Sequence, residues 1–290
     1  MSSRDRVRIW RDPLSPESAL VAEKELREIP ERAAEALAAL RELLAGRKDL
    51  VYPDTDEFLI RFLRPTKYYP ESALGLMVRA AEFKNKNASV VQGLKPEDEQ
   101  STLTDNDVVN VVVDRDQDGR RILIMNLGKK WDPSKVTTNQ IFRCLYLTHI
   151  GACLEPETQV KGAVVIMDFS GLGMRQVTSF TPSFSKLLLS FIQEAMPLRL
   201  KQVHIVNEPY IFNMVFQIFK PLIKDKLKAR MFFHGNKMAS LHKHMDPAFL
   251  PADFGGSKPA IDYSSKDWYP VLVSLEDEVK EWNSFQLASS

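Results

Sequence analysis

The chain has 290 residues, of which 44% are hydrophobic and 27% are charged, and its formal net charge is +1. This composition is typical of a globular protein and excludes both a disordered chain and a globally basic nucleic-acid-binding protein. The length allows one large domain with a smaller appendage or two modest domains, and any functional charge must be local.

The N-terminal segment is polar, and no stretch is apolar over the length of a signal peptide or a transmembrane helix. Cys144 and Cys153 lie in one predicted helix at an axial separation of ~13 Å, which is too far for a disulfide. We therefore expect a cytoplasmic protein in a reducing compartment that meets membranes peripherally and transiently, with endosomal membranes among the candidates.

The first 93 residues are predicted to form a small helical domain. Acidic, basic and Ala/Leu positions alternate at helical spacing over residues 17–45, and the pattern predicts one helix there. Further helices are predicted over about residues 55–64 and 71–87. Pro96 and the three acidic residues after it mark the joint to the next region.

The second predicted domain, residues 94–262, has an α/β pattern. Two short β-branched runs flank an Asp/Gly turn, which is typical of a hairpin, and strands then alternate with helices, which indicates an α/β sheet with right-handed crossovers. The predicted strands are residues 108–113, 121–127, 160–169, 201–206 and 230–234, and the predicted helices are residues 137–154, 182–196 and 209–220. Residues 263–290 are predicted to form a C-terminal helical tail that packs as a closing helix.

Several candidate chemical sites fail on sequence grounds. The acidic turn at residues 114–119 matches the start of a calcium loop, but Met125 stands where the loop needs an acid, so a solvated turn is predicted. His242 and His244 are two residues apart, as in some pairs of metal-ligating histidines, yet no suitable third ligand is near them in the sequence. No local pattern places a nucleophile beside a histidine and an acid, which counts against a lipid-ester hydrolase. We predict no metal site, no cofactor and no catalytic residues.

The apolar run from Pro209 to Ile223 is the most informative stretch of the chain. Its apolar side chains occupy nearly every face of a helix, which is typical of a helix that is fully buried or that contacts lipid. Cations border the run, and each cation near an anionic lipid surface contributes about 1 kcal/mol to binding. The pattern leaves a buried core helix beside a solvated basic turn as an equal alternative.

A second apolar set repeats along the predicted helix over residues 182–196. The sequence does not separate a packed core from the wall of a ligand cavity, because both use the same residue types. The candidate lining residues, chosen from element faces, are Phe142, Leu145, Ile166, Phe169, Phe180, Phe184, Leu187, Phe191 and Ile192.

Five segments together resemble the CRAL-TRIO lipid-carrier family in their order and spacing. They are Phe58–Arg64, Pro197–Pro209, Phe219–Lys226, Phe233–Asn236 and Leu250–Gly256. Agreement along most of the chain is far more specific than one short motif. Within the family, the Val-Asn-Glu-Pro and Lys-Asp-Lys segments are most similar to the branch of alpha-tocopherol transfer protein and its relatives, the clavesins and retinaldehyde-binding protein.

The resemblance implies a fold and a function. The implied fold is a helical N-terminal domain followed by a mixed α/β sheet that floors a hydrophobic cavity, with a mobile gate helix over it at residues 207–226. The implied function is a monomeric, non-enzymatic carrier of one small lipid, tocopherol-, retinoid- or carotenoid-like, exchanged at phosphoinositide-containing membranes. A phosphoinositide-dependent membrane-trafficking adaptor is the alternative. The gate residues are Tyr210, Ile211, Phe212, Val215, Phe216 and Phe219.

The resemblance also implies that cations beside the gate bind phosphoinositide headgroups. By motif position these cations are Arg199, Lys201, Lys226 and Arg230. A further cation of the family falls on Thr66 in this chain, and the sequence leaves open whether the adjacent Lys67 replaces it.

Overall fold

The computed structural model describes residues 6–288, so the first five residues of the polar N-terminal segment lie outside the described part. The longer helices are α1 Pro16–Leu26, α2 Pro30–Ala45, α3 Asp56–Leu63, α4 Pro70–Lys86, α7 Thr138–Ala152, α10 Pro182–Ser190, α11 Phe212–Phe219, α14 Ser265–Val273 and α15 Glu276–Ser284. The short helices are α5 Ala88–Val91, α6 Gln100–Asp105, α8 Pro156–Lys161, α9 Met174–Val177, α12 Asp225–Lys228 and α13 Met238–Leu241. The strands are β1 Leu50–Val51, β2 Val109–Arg115, β3 Arg121–Asn126, β4 Ala163–Asp168, β5 Leu200–Val206, β6 Met231–Phe233 and β7 Gln286–Leu287.

The helical pattern at residues 17–45 is divided between α1 and α2, so the prediction of one continuous helix was wrong. The helix α1 ends at Arg27, whose φ of 65° is left-handed. Pro30 then occupies the first turn of α2. Proline has no N–H to donate inside a helix but fits the first turn, so it begins a new helix instead of continuing the old one.

Strands β2 to β6 form a mixed five-stranded sheet in chain order. The strands β2 and β3 are antiparallel, with Val109 opposite Met125, and β3 to β6 are parallel to one another. The predicted hairpin and α/β alternation are therefore confirmed.

Strand β4 begins at Ala163, three residues later than predicted, because α8 occupies the preceding residues. Gly162 separates the two elements with a φ of 85°, and a Cβ there would lie 2.4 Å from the Arg199 carbonyl oxygen. Glycine is required at this position because a side chain would meet both a left-handed backbone and a neighbouring strand.

The two faces of the sheet bury different side chains because successive residues of a strand point in opposite directions. On β4, Val164 and Ile166 pack with Leu241 and Leu250 on one face. Val165 and Met167 point to the other face, which α7 and α10 cover. The open space of the molecule lies on this second face.

The C-terminal tail is two helices and a strand, where one closing helix was predicted. The break at Ser274 lets Trp268 of α14 reach the sheet, where its Nε1 donates to the Val111 carbonyl oxygen at 3.0 Å. After α15, β7 pairs antiparallel with β1 and returns the chain to the N-terminal helices. No helix within residues 6–288 is both long and apolar enough to cross a bilayer.

Candidate functional site

The main cavity is an almost wholly apolar space of about 150 Å³ between the sheet and its covering helices. Its floor comes from alternate residues of β2 to β5, and its roof from α7, the residues after α10, and α14. The side chains that define these walls include Val111, Leu123, Val165, Leu145, Phe191, Ile192 and Trp268. An apolar cavity of this kind excludes water, so an apolar ligand would enter without displacing a hydration shell from it.

A second apolar space of about 80 Å³, the gate-side cavity, lies under α11. Its aromatic walls include Phe169, Phe180, Phe184, Phe212 and Phe219. Leu188 and Ile192 line both cavities and so form part of the partition between them. Met125, Met167 and Val203 also line both cavities.

The main cavity has one polar end. Glu155 is fully buried there and accepts hydrogen bonds from Arg121 Nε at 3.1 Å and Arg115 Nη2 at 3.0 Å. The backbone N–H of Trp10 donates to the same carboxylate at 3.0 Å. Burial by itself raises the pKa of Glu155, but the two arginines outweigh it, Arg121 most, and hold the pKa below its usual range. The carboxylate is therefore ionised and its charge is balanced.

His149 also borders the main cavity, and it is neutral. Its Nδ1 lies 3.1 Å from the Tyr146 carbonyl oxygen, which can only accept, so Nδ1 carries the proton. Burial lowers the pKa of His149 to about 4. The ring therefore adds no charge to the cavity wall at neutral pH.

Six of the nine candidate lining residues line one of the two cavities. They are Leu145, Phe169, Phe180, Phe184, Phe191 and Ile192. Ile166 lies on the opposite face of the sheet, because the side chains of β4 alternate and Val165 and Met167 point into the cavities instead. Phe142 and Leu187 are buried but outside both linings; Phe142 packs against Phe83 and Phe191.

The gate segment, residues 207–226, lies between β5 and β6. It contains all of α11 and the first two residues of α12. On α11, Phe212 and Val215 are buried, whereas Met214 on the outer side is 52% exposed. Tyr210 is 92% exposed and Leu222 is 41% exposed. The inner side of α11 thus lines the gate-side cavity, while its outer side exposes Met214 together with the polar side chains of Asn213 and Gln217.

Polar contacts hold the C-terminal end of the gate segment against the residues that follow α10. The Gln193 side chain donates to the Leu222 carbonyl oxygen at 3.0 Å and accepts from the Lys224 N–H at 2.8 Å. Lys224 also pairs with Glu194 at 2.7 Å. Aromatic contacts hold the N-terminal end, where the Phe169 and Phe212 ring centroids lie 4.6 Å apart.

Three of the five predicted headgroup-binding cations lie together, and we call Arg199, Lys201 and Arg230 the basic cluster. Arg230 donates to the Leu200 carbonyl oxygen, and Arg199 donates to the Val160 carbonyl oxygen. The pKa of Lys201 and the pKa of Arg230 are lowered by burial and then by the charge of Arg199, as expected for neighbouring cations.

The other two predicted cations are exposed and lie on other parts of the chain. Lys226 lies on α12, directly after the apolar run of the gate segment. Lys67 follows α3 in a left-handed backbone conformation with a φ of 57°, and Tyr68 after it has a φ of 55°. Two consecutive non-glycine residues in this conformation are unusual, and they turn Lys67 outwards at the end of α3.

The rejected candidate sites are accounted for by other contacts. In the acidic turn, Asp116 accepts a hydrogen bond from Arg120 Nε at 2.6 Å. The arginine side chain thus occupies the position where a calcium ion would bind. His242 Nε2 donates to the Phe254 carbonyl oxygen at 2.9 Å, whereas the His244 ring packs on Phe232 with centroids 4.1 Å apart. No cluster of three or more metal-ligating side chains occurs in residues 6–288.

Sequence reasoning missed the polar end of the cavity and the acid that contacts the basic cluster. Glu155, Arg115 and Arg121 come from three elements, and no spacing rule joins them. Glu25 of α1 pairs with Arg199 Nη2 at 2.5 Å and with Lys201 Nζ at 3.3 Å. Strand alternation places Val165 and Met167 on one face of β4, but both faces of the strand are apolar, so the sequence carried no signal for which face borders the cavity.

The sequence matches one family model and is similar to several other proteins. A model of the CRAL/TRIO domain matches residues 105–256. Clavesin-1 of Pongo abelii is 33% identical over 263 residues, which cover 90% of this chain and 73% of that protein. Clavesin-2 of Homo sapiens is 31% identical over 274 residues, which cover 93% of this chain and 83% of that protein.

A protein of Mus musculus named "Alpha-tocopherol transfer protein-like" is 35% identical over 265 residues, which cover 90% of this chain and 76% of that protein. Among solved structures, "Crystal structure of Sfh5" aligns with 93% of this chain and 100% of that chain. Its TM-score is 0.45 and its identity is 12%.

Proposed function

Because this chain belongs to the CRAL/TRIO family of proteins, which bind hydrophobic ligands and are not enzymes, we propose that it carries one small hydrophobic lipid and exchanges it at phosphoinositide-containing membranes. The chain is related to the clavesins and to the alpha-tocopherol transfer protein-like protein. The proposed cargo is tocopherol-, retinoid- or carotenoid-like. The proposed location is the cytoplasm, with transient and peripheral binding to membranes.

An apolar cavity covered by the apolar inner side of α11, with exposed apolar side chains at Tyr210, Met214 and Leu222, is the main support for this proposal. The two cavities present hydrophobic walls to a ligand, and Leu188 and Ile192 line both of them. Enclosing a small lipid removes several hundred Å² of apolar surface from water, which is worth of order 10 kcal/mol before ordering costs. Release into water would therefore be slow.

A membrane would open the gate by binding the open form better than the closed form. Tyr210, Met214 and Leu222 are already exposed in the closed form, and opening would add Phe212 and Phe216 to the apolar surface. The basic cluster and Lys226 would bind anionic headgroups beside that surface. The membrane thus supplies the differential affinity that exchange requires.

Native mass spectrometry of the purified protein, followed by solvent extraction and transfer to vesicles, tests the proposal. We expect one hydrophobic ligand per chain and faster transfer to vesicles that contain phosphatidylinositol bisphosphate than to neutral vesicles. A protein that binds those vesicles but takes up no offered lipid would contradict the carrier and support a trafficking adaptor.

The headgroup site has its own test. Replacing Arg199, Lys201 and Lys226 with alanine should weaken binding to anionic vesicles at least tenfold, since each cation contributes about 1 kcal/mol. Retention of ligand in solution should stay near that of the unmodified protein. The matched control replaces three exposed lysines elsewhere, Lys48, Lys243 and Lys266. Equal loss of vesicle binding and ligand retention, or equal effects of both triple variants, would contradict the proposed site.

A further inference from the structure

Glu25 occupies the basic cluster in the way an anionic ligand would. One of its carboxylate oxygens, Oε2, lies 2.5 Å from Arg199 Nη2 and 3.3 Å from Lys201 Nζ, so it bridges the two cations. The bond to Arg199 is the main reason that the pKa of Glu25 is lowered, and Lys201 adds to it. The carboxylate is therefore a charged group held between cations that are expected to bind phosphate.

The position of Glu25 does not depend on this contact. Other bonds fix α1 to α8: the Ser15 N–H donates to Glu157 at 2.9 Å, Ser18 Oγ donates to the same carboxylate, and Lys161 pairs with Glu17 at 3.0 Å. Leu26 and Ala22 of α1 pack against Val160 of α8. The helix would stay docked if the Glu25 side chain swung away, and that side chain is 47% exposed.

From this geometry we infer that Glu25 is an internal competitor for the headgroup site and sets the charge that a headgroup needs to bind there. The inference rests on the proposed membrane function. A carboxylate brings one negative charge, whereas a phosphomonoester brings about 1.5 to 2 charges and three acceptor oxygens. A lipid with a single negative charge would replace Glu25 with an equal charge and gain little. A headgroup with phosphomonoesters would gain charge and hydrogen bonds by the exchange.

The occupant is therefore a phosphomonoester-bearing lipid headgroup at a membrane surface. The basic cluster has three cations for one carboxylate, and charge remains for a multiply phosphorylated headgroup after Glu25 leaves. The exposed apolar residues of the gate segment favour a membrane over a free phosphate as the source, because a soluble anion would gain nothing from Tyr210 or Met214.

The variant Glu25→Gln tests the inference. The full-length protein would be compared on phosphatidylcholine vesicles carrying phosphatidylserine and on vesicles carrying phosphatidylinositol bisphosphate, matched for total surface charge. We expect the variant to bind the phosphatidylserine vesicles about fivefold more tightly than the unmodified protein, with a smaller gain on the bisphosphate vesicles. The ratio of the affinity for bisphosphate vesicles to the affinity for phosphatidylserine vesicles would therefore be smaller in the variant.

Glu23→Gln is the matched control, because Glu23 is exposed on the same helix and its substitution removes the same charge. An equal gain with Glu23→Gln would show a general charge effect and overturn the inference. If Glu25→Gln prefers bisphosphate vesicles over phosphatidylserine vesicles as strongly as the unmodified protein does, the inference is also overturned. Thermal unfolding of both variants verifies that α1 stays docked.

Arg199→Ala separates failure of this inference from failure of the proposed function. Suppose that Arg199→Ala no longer binds bisphosphate vesicles while Glu25→Gln binds both kinds of vesicle as the unmodified protein does. That result would support the headgroup site and overturn the role of Glu25 as a competitor. If Arg199→Ala also leaves vesicle binding unchanged, the proposed headgroup site itself is wrong. Soluble inositol trisphosphate completes the test: we expect it to bind more weakly than the vesicles, and equally tight binding would overturn the membrane as the source of the phosphate.

Discussion

Glu155 shows how a charged side chain is kept inside an apolar fold. Two arginines, the Trp10 N–H and the Thr158 hydroxyl donate to its carboxylate. Each ion alone would be costly to bury, and the network offsets that cost only while it is complete. The network closes one end of the main cavity and places its polar surface there, so it limits how deeply an apolar ligand can reach.

Replacing Glu155 with glutamine should lower the free energy of unfolding by about 3 to 5 kcal/mol, because the buried Arg121 and the half-buried Arg115 would lose their counter-charge. Urea unfolding at neutral pH measures the effect. The pKa of Glu155 is lowered in the folded protein, so its contribution is complete above the ordinary carboxyl range and is lost as pH falls. The difference between the two proteins should shrink in acid.

Glu35→Gln is the control for that experiment, because Glu35 is exposed on α2. Its effect on unfolding should be within about 0.5 kcal/mol. A Glu155→Gln protein as stable as this control would show that the two arginines find other partners.

At the scale of elements, the gate segment is held in different ways at its two ends. Aromatic packing of Phe212 on Phe169 holds the start of α11, and the side chain of Gln193 holds the backbone after α11. Hydrogen bonds near the surface exchange readily with water, whereas ring packing must be pulled apart. We therefore expect the gate to open from its C-terminal end, the end that carries Lys224 and Lys226.

Gln193→Ala should speed ligand release without membranes by about thirtyfold, because each lost hydrogen bond is worth about 1 kcal/mol and two are lost. Stopped-flow fluorescence of a bound fluorescent lipid analogue measures the rate. Ser183→Ala, at an exposed position of α10, serves as the control. Release at the unmodified rate would show that the Gln193 contacts do not hold the gate closed.

At the scale of the whole molecule, the C-terminal tail joins the helical region to the sheet. Trp282 stacks on Phe62 of α3 with ring centroids 6.1 Å apart and donates to the Tyr146 hydroxyl of α7 at 2.8 Å. Buried Lys84 of α4 donates to the carbonyl oxygens of Trp282 and Phe285. The division into domains at residues 93 and 262 stays a prediction.

Trp282→Ala should lower the free energy of unfolding by about 3 to 5 kcal/mol, the usual cost of deleting a large buried aromatic side chain. Denaturant unfolding followed by circular dichroism measures it, and Lys280→Ala, at an exposed site of α15, should change it little. If Trp282→Ala were as stable as Lys280→Ala, the tail would not hold the two regions together.

The sequence by itself determined the helical N-terminal region, the hairpin and the alternation of strands and helices. These features are set by local spacing, by proline and glycine, and by segments that resemble a known family. The CRAL-TRIO resemblance and the mixed sheet were predicted this way and are confirmed. The exact limits of helices were less well determined, as Arg27 and Pro30 show.

Only the tertiary structure decided which distant side chains meet. Glu25 reaches Arg199 across 174 positions of sequence, and Arg121 of β3 meets Glu155, the residue before α8. The tertiary structure also decided on which face of the sheet Ile166 lies. Both faces of a covered sheet are apolar, so the local pattern does not say which face borders the cavity. Such pairings depend on how elements pack, and packing is a long-range property that local periodicity does not encode.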